Sequence, residues 1–224
     1  SADEKYIPFL QSEELSPKLM NEVKNDTVLL PVMEHFYTLQ GEGFHQGRAA
    51  YFIRLGGCDV GCVWCDVKDS WDADKHPKYT IEQLVQEVKK TPTELVVITG
   101  GEPLMHNLDA LTAALKAAGL HTNIETSGAH PLSGHWDWIC LSPKKFKEPL
   151  PAILPHANEL KVVIFNKSDF DWAEKYAAQV SPSCKLYLQP EWDKAAQVTP
   201  LIIDYIKARS EEHTSELQSR SDLV

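Results

Sequence analysis

Apolar residues along this chain come in two rhythms that alternate with one another. Short runs enriched in apolar, β-branched and aromatic residues occupy positions 49–55, 94–99, 121–125, 136–141, 159–165 and 185–189, and each predicts a strand. The first of these ends in Gly56-Gly57, a turn signal. Between the runs the apolar spacing changes to three and four. Ile81, Leu84, Val85 and Val88 predict a helix over 80–90 with Thr80 as its N-cap. Residues 108–118 predict a second helix stopped by Gly119, residues 169–180 a third and residues 200–208 a fourth. Strands alternating with helices predict an α/β fold with a mostly parallel sheet. Ligands of such sheets bind in loops beyond the carboxyl ends of the strands.

Composition narrows the classes. The 224 residues suffice for one sizeable domain, and an apolar fraction of 43% supports a real core. No apolar run reaches the roughly 18 residues of a membrane span. A net charge of −10 argues against holding a nucleic-acid backbone, which calls for a basic stripe. A small-molecule substrate and a reducing, cytoplasmic setting are expected instead. Five cysteines, an odd count with no secretory signal ahead of them, argue against a disulfide framework.

Three of those cysteines, Cys58, Cys62 and Cys65, stand in a Cys-x3-Cys-x2-Cys run directly after the strand at 49–55. A structural zinc site normally takes four protein ligands. The nearest downstream histidine, His76, lies in the turn-like Asp74-Lys75-His76-Pro77, and no second Cys-x2-Cys pair exists. Three thiolates suit an iron–sulfur cluster with one iron left open; zinc and inert thiols are the competing readings. Cys140 and Cys184, in or beside apolar runs, read as core residues. A second motif, Thr99-Gly100-Gly101-Glu102-Pro103, ends the strand at 94–99. Its glycines would let backbone groups approach a ligand closely, although alone it would read as a plain turn. Gln40 offers donor and acceptor to a heterocycle edge, and Arg54 can grip a carboxylate bidentately. Taken singly, these two are as readily a turn residue and a surface ion pair.

The cysteine triplet followed one βα unit later by Gly-Gly-Glu-Pro resembles the radical S-adenosylmethionine (SAM) superfamily. The stretch Tyr37-Thr38-Leu39-Gln40-Gly41-Glu42-Gly43 ahead of it, with Arg54, resembles the 7-carboxy-7-deazaguanine synthase family. Ile124-Glu125-Thr126-Ser127-Gly128, Leu141-Ser142-Pro143-Lys144, Glu159-Leu160-Lys161 and Leu188-Gln189-Pro190 extend the match in order along the chain. The resemblance implies a partial, incomplete β/α barrel of the radical SAM type over residues 28–208. It implies a 4Fe–4S cluster on Cys58, Cys62 and Cys65. SAM would lie against Trp64, Cys65, Asp66, Gly101, Glu102, Glu125, Ser127, Ser142, Lys144 and Gln189. The pterin substrate would meet Leu39, Gln40, Gly41, Glu42, Arg54 and Thr99. The implied reaction is radical: reductive cleavage of SAM gives a 5′-deoxyadenosyl radical that takes hydrogen from 6-carboxy-5,6,7,8-tetrahydropterin. Ring contraction and loss of ammonia then give 7-carboxy-7-deazaguanine, a precursor of queuosine in tRNA. An electron donor such as flavodoxin or ferredoxin, a Mg2+ ion and a homodimer are further family expectations.

Two departures stand out. Where much of the family has a Mg2+-binding threonine, this chain has Val67, which offers no side-chain oxygen; Asp66, Asp69 or waters would have to serve. Residues 209–224 are charged and Ser-rich, resemble a translated sequencing adapter, and are expected to be a non-native tail, solvated or weakly helical. Residues 1–27 are polar and carry no readable role. The alternative functions are a glycyl-radical-activating enzyme, which shares the triplet but does not need Gln40, Glu42 and Arg54, and a non-enzymatic zinc-binding module.

Overall fold

The computed structural model of this chain describes residues 28–62, 65, 67–209 and 214–215. Among the described residues nine strands form one sheet in the order β3-β1-β2-β4-β5-β6-β7-β8-β9, open at both ends. They are β1 (Leu29–Leu39), β2 (Ala49–Leu55), β3 (Lys78–Thr80), β4 (Leu95–Gly100), β5 (His121–Thr126), β6 (Trp138–Leu141), β7 (Glu159–Ile164), β8 (Lys185–Pro190) and β9 (Thr214–Ser215). β1 runs antiparallel to β2 and β3, and every pairing from β2 to β9 is parallel. Among the described residues four α-helices fill the crossovers: α1 (Ile81–Lys89), α2 (Asp109–Ala117), α3 (Ser168–Ala177) and α4 (Ala195–Arg209). The expected partial barrel is present, since the sheet does not close.

Strand alternation sorts the residues by face. Tyr51, Ile53 and Leu55 of β2, Val96 and Ile98 of β4, Ile124 of β5, Leu141 of β6 and Leu160, Val162 and Ile164 of β7 share one buried core with helix residues Leu84, Val88, Leu111, Leu115, Ala173, Tyr176, Val198 and Ile202. The positions between them face the other way. There only Ala50, Leu95 and Val97, with Phe52, form a small apolar cluster. Much of the remainder of that inner face is polar, with Arg54, Thr99, Asn123, Glu125, Glu159, Lys161 and Gln189 beside Trp138 and Cys140. Helix α1 starts where expected, because Thr80 and Gln83 form a reciprocal capping box: Gln83 N–H donates to Thr80 Oγ1 at 3.1 Å and Thr80 N–H to Gln83 Oε1 at 2.8 Å.

Several elements differ from the sequence expectation, the short strand β3 among them. β1 carries no apolar run after Val32 and is held instead by its register with β2, which pairs Glu34 with Arg54, Phe36 with Phe52 and Tyr37 with Tyr51. Helix α4 begins at Ala195, continuing a 3-10 turn at Trp192–Lys194, and so carries Pro200 inside it rather than at its start. The tail is neither wholly solvated nor helical among the described residues, because Thr214 and Ser215 pair with Tyr187 and Leu188 of β8. Residues 1–27 lie outside the described residues.

Leu84, wholly buried between α1 and the sheet, and Leu29, 52% exposed at the start of β1, test the two-faced packing. Leu84→Ala is expected to lower unfolding free energy by about 3–5 kcal/mol. Leu29→Ala should stay within about 0.5 kcal/mol. Urea unfolding measures both.

Candidate active site

Strands β2, β4, β5 and β6 end side by side, and their trailing residues meet. Gly101 N–H donates to Leu55 O at 3.3 Å and Glu102 N–H to Gly57 O at 2.8 Å. A Cβ at Gly101 would collide with the Gly57 carbonyl and touch the Cys58 Cβ; one at Gly100 would strike Leu55. The glycine pair is therefore required by the chain's own backbone, apart from any ligand. Glu102, 1% exposed, turns its carboxylate inward. It accepts from Leu104 N–H at 3.0 Å, Thr126 Oγ1 at 2.5 Å, Ser127 N–H at 2.9 Å and the Ser127 hydroxyl. Four donors satisfy that buried charge. The Glu102 side chain thus braces two strand ends, and Ser127 is bound to it.

The cysteine loop leaves β2 through Gly57, whose φ of +103° only glycine adopts easily. Gly57 N–H donates to Ser70 O and Cys58 N–H to Trp71 O at 3.2 Å, fixing one flank. On the other flank Asp59 meets His130 Nε2 at 2.8 Å and Lys147 Nζ at 2.5 Å. Burial works to raise the Asp59 pKa, but these two partners outweigh it and the result is a lowered value. Cys58, Cys62 and Cys65 are each half-buried. Burial raises the Cys58 and Cys62 thiols, against the backbone N–H groups of Val60 and Gly61 at Cys58 and the Lys144 ammonium near Cys62. Lys144 itself is lowered by burial and donates to Ser142 Oγ at 2.8 Å. Among the described residues no three His, Cys, Asp or Glu side chains converge as a single-ion site requires. A four-iron cluster binds its three thiolates at three separate irons. With Lys144 beside the thiols to offset negative charge, this donor set suits such a cluster. Trp64 and Asp66 lie outside the described residues.

The polar inner face forms a connected network. Gln40 Nε2 donates to Glu125 Oε1 at 3.1 Å, and Thr99 Oγ1 to Glu125 Oε2 at 3.4 Å. Glu42 N–H donates to Gln40 Oε1 at 3.1 Å, Gln189 Nε2 to Glu42 Oε1 at 3.3 Å, and the Lys161 ammonium pairs with the Glu42 carboxylate. Burial alone would lower the Lys161 pKa; Glu42 and Glu125 overcome it and hold it well above the ordinary value. Glu159 accepts from Trp138 Nε1 at 2.9 Å and Phe44 N–H at 3.2 Å, and burial raises its pKa despite them. Gly43, at φ +67°, leaves room for Glu159 that any side chain would take. Phe44 stacks on Trp138 at 4.6 Å, so the 40–45 segment lies across the inner face. Beneath it is a narrow cleft whose free volume is about 10 Å³, partly open to solvent and lined by Gln40, Glu42, His45, Asn123, Glu125 and Trp138 among others.

Sequence reasoning grouped Glu125 and Gln189 with SAM, yet both are hydrogen-bonded to residues grouped with the substrate. Arg54 pairs through Nε with Glu34 Oε1 at 2.7 Å, and among the described residues its other guanidinium nitrogens make no bond. Leu39 is 55% exposed at the end of β1, and Gly41 lies between Gln40 and Glu42. Val67 turns its carbonyl to Ser70, and the Asp69 carbonyl meets His76 Nε2 at 2.8 Å. Glu159 and Lys161 stand in a motif that matches the family but carry no role in the sequence reading, and Trp138 is not marked by it at all. A signal existed: Glu159 and Lys161, charged at alternate positions of an apolar strand, must share one face.

The Radical SAM superfamily model matches residues 52–145. The chain is 54% identical over 178 residues to the 7-carboxy-7-deazaguanine synthase of Flavobacterium psychrophilum, covering 80% of this chain and 84% of that protein. It is 52% identical over 185 residues to the synthase of that name from Synechocystis sp., covering 83% and 88%. The crystal structure of QueE from Escherichia coli superposes with a TM-score of 0.75 at 31% identity, over 91% of this chain and 99% of that one.

Removing the buried cation should be costly. Lys161→Met is expected to lower unfolding free energy by about 2–3 kcal/mol, below the roughly 3–5 of a fully buried pair because Glu42 keeps a quarter of its side-chain exposure. Adding Glu42→Gln should recover part of that loss. The folded chain holds the Lys161 proton more tightly than the unfolded chain does. The resulting stability is complete below the ordinary lysine value of 10.5 and is lost as pH rises above it. Denaturant unfolding against pH should therefore show a shallower alkaline decline in Lys161→Met.

Proposed function

The chain belongs to the 7-carboxy-7-deazaguanine synthase family of radical SAM enzymes, and from that premise we propose how its residues divide the work. Its reaction converts 6-carboxy-5,6,7,8-tetrahydropterin to 7-carboxy-7-deazaguanine with loss of ammonia, in queuosine biosynthesis. The observation that carries the assignment of roles is the contact of the Cys58 turn with Gly101, directly beyond a hydrogen-bonded polar sheet face.

Cys58, Cys62 and Cys65 would hold the 4Fe–4S cluster, and the Gly101, Ser127, Ser142 and Lys144 strand ends would hold SAM; Trp64 and Asp66, outside the described residues, are assigned to SAM by the family resemblance alone. When bound, these cofactors supply one-electron chemistry and hydrogen-atom abstraction. The protein's part is placement and shielding. Gln40, Glu42 and Thr99 present a fixed set of donors and acceptors to a pterin edge, and Lys161 pairs with the Glu42 carboxylate and holds it in place. Glu125 still has acceptor capacity after its bonds to Gln40 and Thr99, since a carboxylate offers about four lone-pair sites. The guanidinium nitrogens of Arg54 not used by Glu34 would take the substrate carboxylate. The 40–45 segment, anchored on Glu159 and Trp138, covers the cleft and limits water. A Mg2+ ion against the substrate would draw on Asp66, Asp69 or water for its oxygens, as Val67 has none to give. A flavodoxin- or ferredoxin-type donor, a homodimeric assembly and a cytoplasmic location complete the proposal.

The test is anaerobic reconstitution with iron and sulfide, then addition of SAM, reductant and the carboxytetrahydropterin, with mass spectrometry of the products. 5′-Deoxyadenosine and 7-carboxy-7-deazaguanine together are expected; deoxyadenosine alone would overturn the substrate assignment. Arg54→Ala should lower kcat/KM for the pterin by about 10–100-fold, as a charged hydrogen bond worth roughly 1.5–3 kcal/mol is lost. The KM for SAM should not move.

A further inference from the structure

We propose that Asp59 is a positioning residue that locks the cysteine loop to the two loops carrying Ser127 and Lys144, and so sets the cluster against SAM; this rests on the site reading above. The two flanks of the cysteine loop are attached differently. Toward Ser70 and Trp71 the attachment is backbone to backbone, through Gly57 and Cys58. Toward β5 and β6 the hydrogen bonds, among the described residues, are made by one side chain. Asp59 Oδ1 receives His130 Nε2 at 2.8 Å and Asp59 Oδ2 receives Lys147 Nζ at 2.5 Å. His130 and Lys147 themselves stand 3.3 Å apart, so the imidazole and the ammonium form a two-donor notch. That notch is held independently of Asp59. Leu150 N–H donates to Gly128 O at 2.8 Å, tying the two loops together, and Lys144 pairs with Lys147 across a backbone bridge.

Each carboxylate oxygen thus answers to a different loop. His130 is three residues beyond Ser127, and Lys147 three beyond Lys144. Asp59 neighbours Cys58 in the turn whose Val60 and Gly61 amides point at the Cys58 sulfur. Moving Asp59 therefore moves a cluster ligand relative to the SAM-side loops. The plain alternative is an exposed ion pair of no consequence, since the three side chains keep 23–39% exposure. Exposed pairs add little to global stability. The two readings therefore part over local quantities, not over melting.

The experiment uses reconstituted holoenzyme of the wild type, Asp59→Ala, Asp59→Asn and Lys147→Met. It measures anaerobic iron release to a ferrous chelator, the KM for SAM and for the pterin, and the melting temperature. Asp59→Ala and Lys147→Met should each release iron faster and raise the SAM KM by about tenfold, the usual scale for groups supporting metal ligands. Asp59→Asn, which keeps an acceptor oxygen, should fall between. The pterin KM should stay unchanged and the melting temperature should move by no more than about 4 °C. Iron release and SAM KM within twofold of wild type in Asp59→Ala would overturn the proposal. If that variant does not fold, Lys147→Met decides in the same way. A wild type that binds no cluster would instead overturn the site reading beneath it.

Discussion

Everything at the mouth of this sheet depends on how closely the end of β4 lies against the chain leaving β2. The Gly57 carbonyl occupies the space where a side chain at Gly101 would stand, and it accepts the Glu102 N–H at 2.8 Å. That approach brings the cysteine turn within contact of the Gly-Gly-Glu-Pro segment. Glu102 then extends the junction to β5. Its buried carboxylate would be destabilising if left unpaired, and four donors from Leu104, Thr126 and Ser127 prevent this. Two glycines and one glutamate thereby fix where three strand ends meet.

Behind the junction, the two faces of one sheet perform opposite tasks. The outer positions of β2, β4, β5, β6 and β7 are mostly apolar and pack on helices α1 to α4, which supplies the stability of the domain. The inner positions are hydrogen-bonded side chains that contribute little packing. Such a face is tolerated because its members satisfy one another: Gln40 and Thr99 on Glu125, Gln189 and Lys161 on Glu42, Trp138 and Phe44 on Glu159. A heterocycle bearing donors, acceptors and a carboxylate can exchange with these bonds without leaving buried groups unpaired. The aromatic pair Phe44 and Trp138 closes the same space from above.

The parallel half of the fold was legible because β2, β4 and β7 are buried on their outer face by residues with strong apolar patterning. β1 was not, because an edge ribbon with Glu34, His35 and Thr38 draws its strand conformation from its partner rather than from its own sequence. The cysteine triplet and the glycine pair were legible as motifs. What the glycines accommodate was not, since a contact between residues 57 and 101 leaves no trace in either local sequence. The same holds for Asp59 with His130 and Lys147, and for Lys161 with Glu42, pairs joined across 71, 88 and 119 positions. Family resemblance sorted Glu125 and Gln189 by ligand. Their hydrogen bonds to Thr99, Gln40 and Glu42 join them to the residues that the resemblance groups with the substrate, a link which only three dimensions reveal.

The central claim is that the cysteine loop and the polar inner face form one site, in which a pterin lies within reach of SAM's reactive carbon. The most direct measurement uses 6-carboxytetrahydropterin deuterated on its ring carbons in an anaerobic turnover and reads the mass of the 5′-deoxyadenosine formed. One site predicts deoxyadenosine that carries deuterium, in an amount that rises with pterin. Deoxyadenosine that stays unlabelled and forms equally without pterin would contradict it.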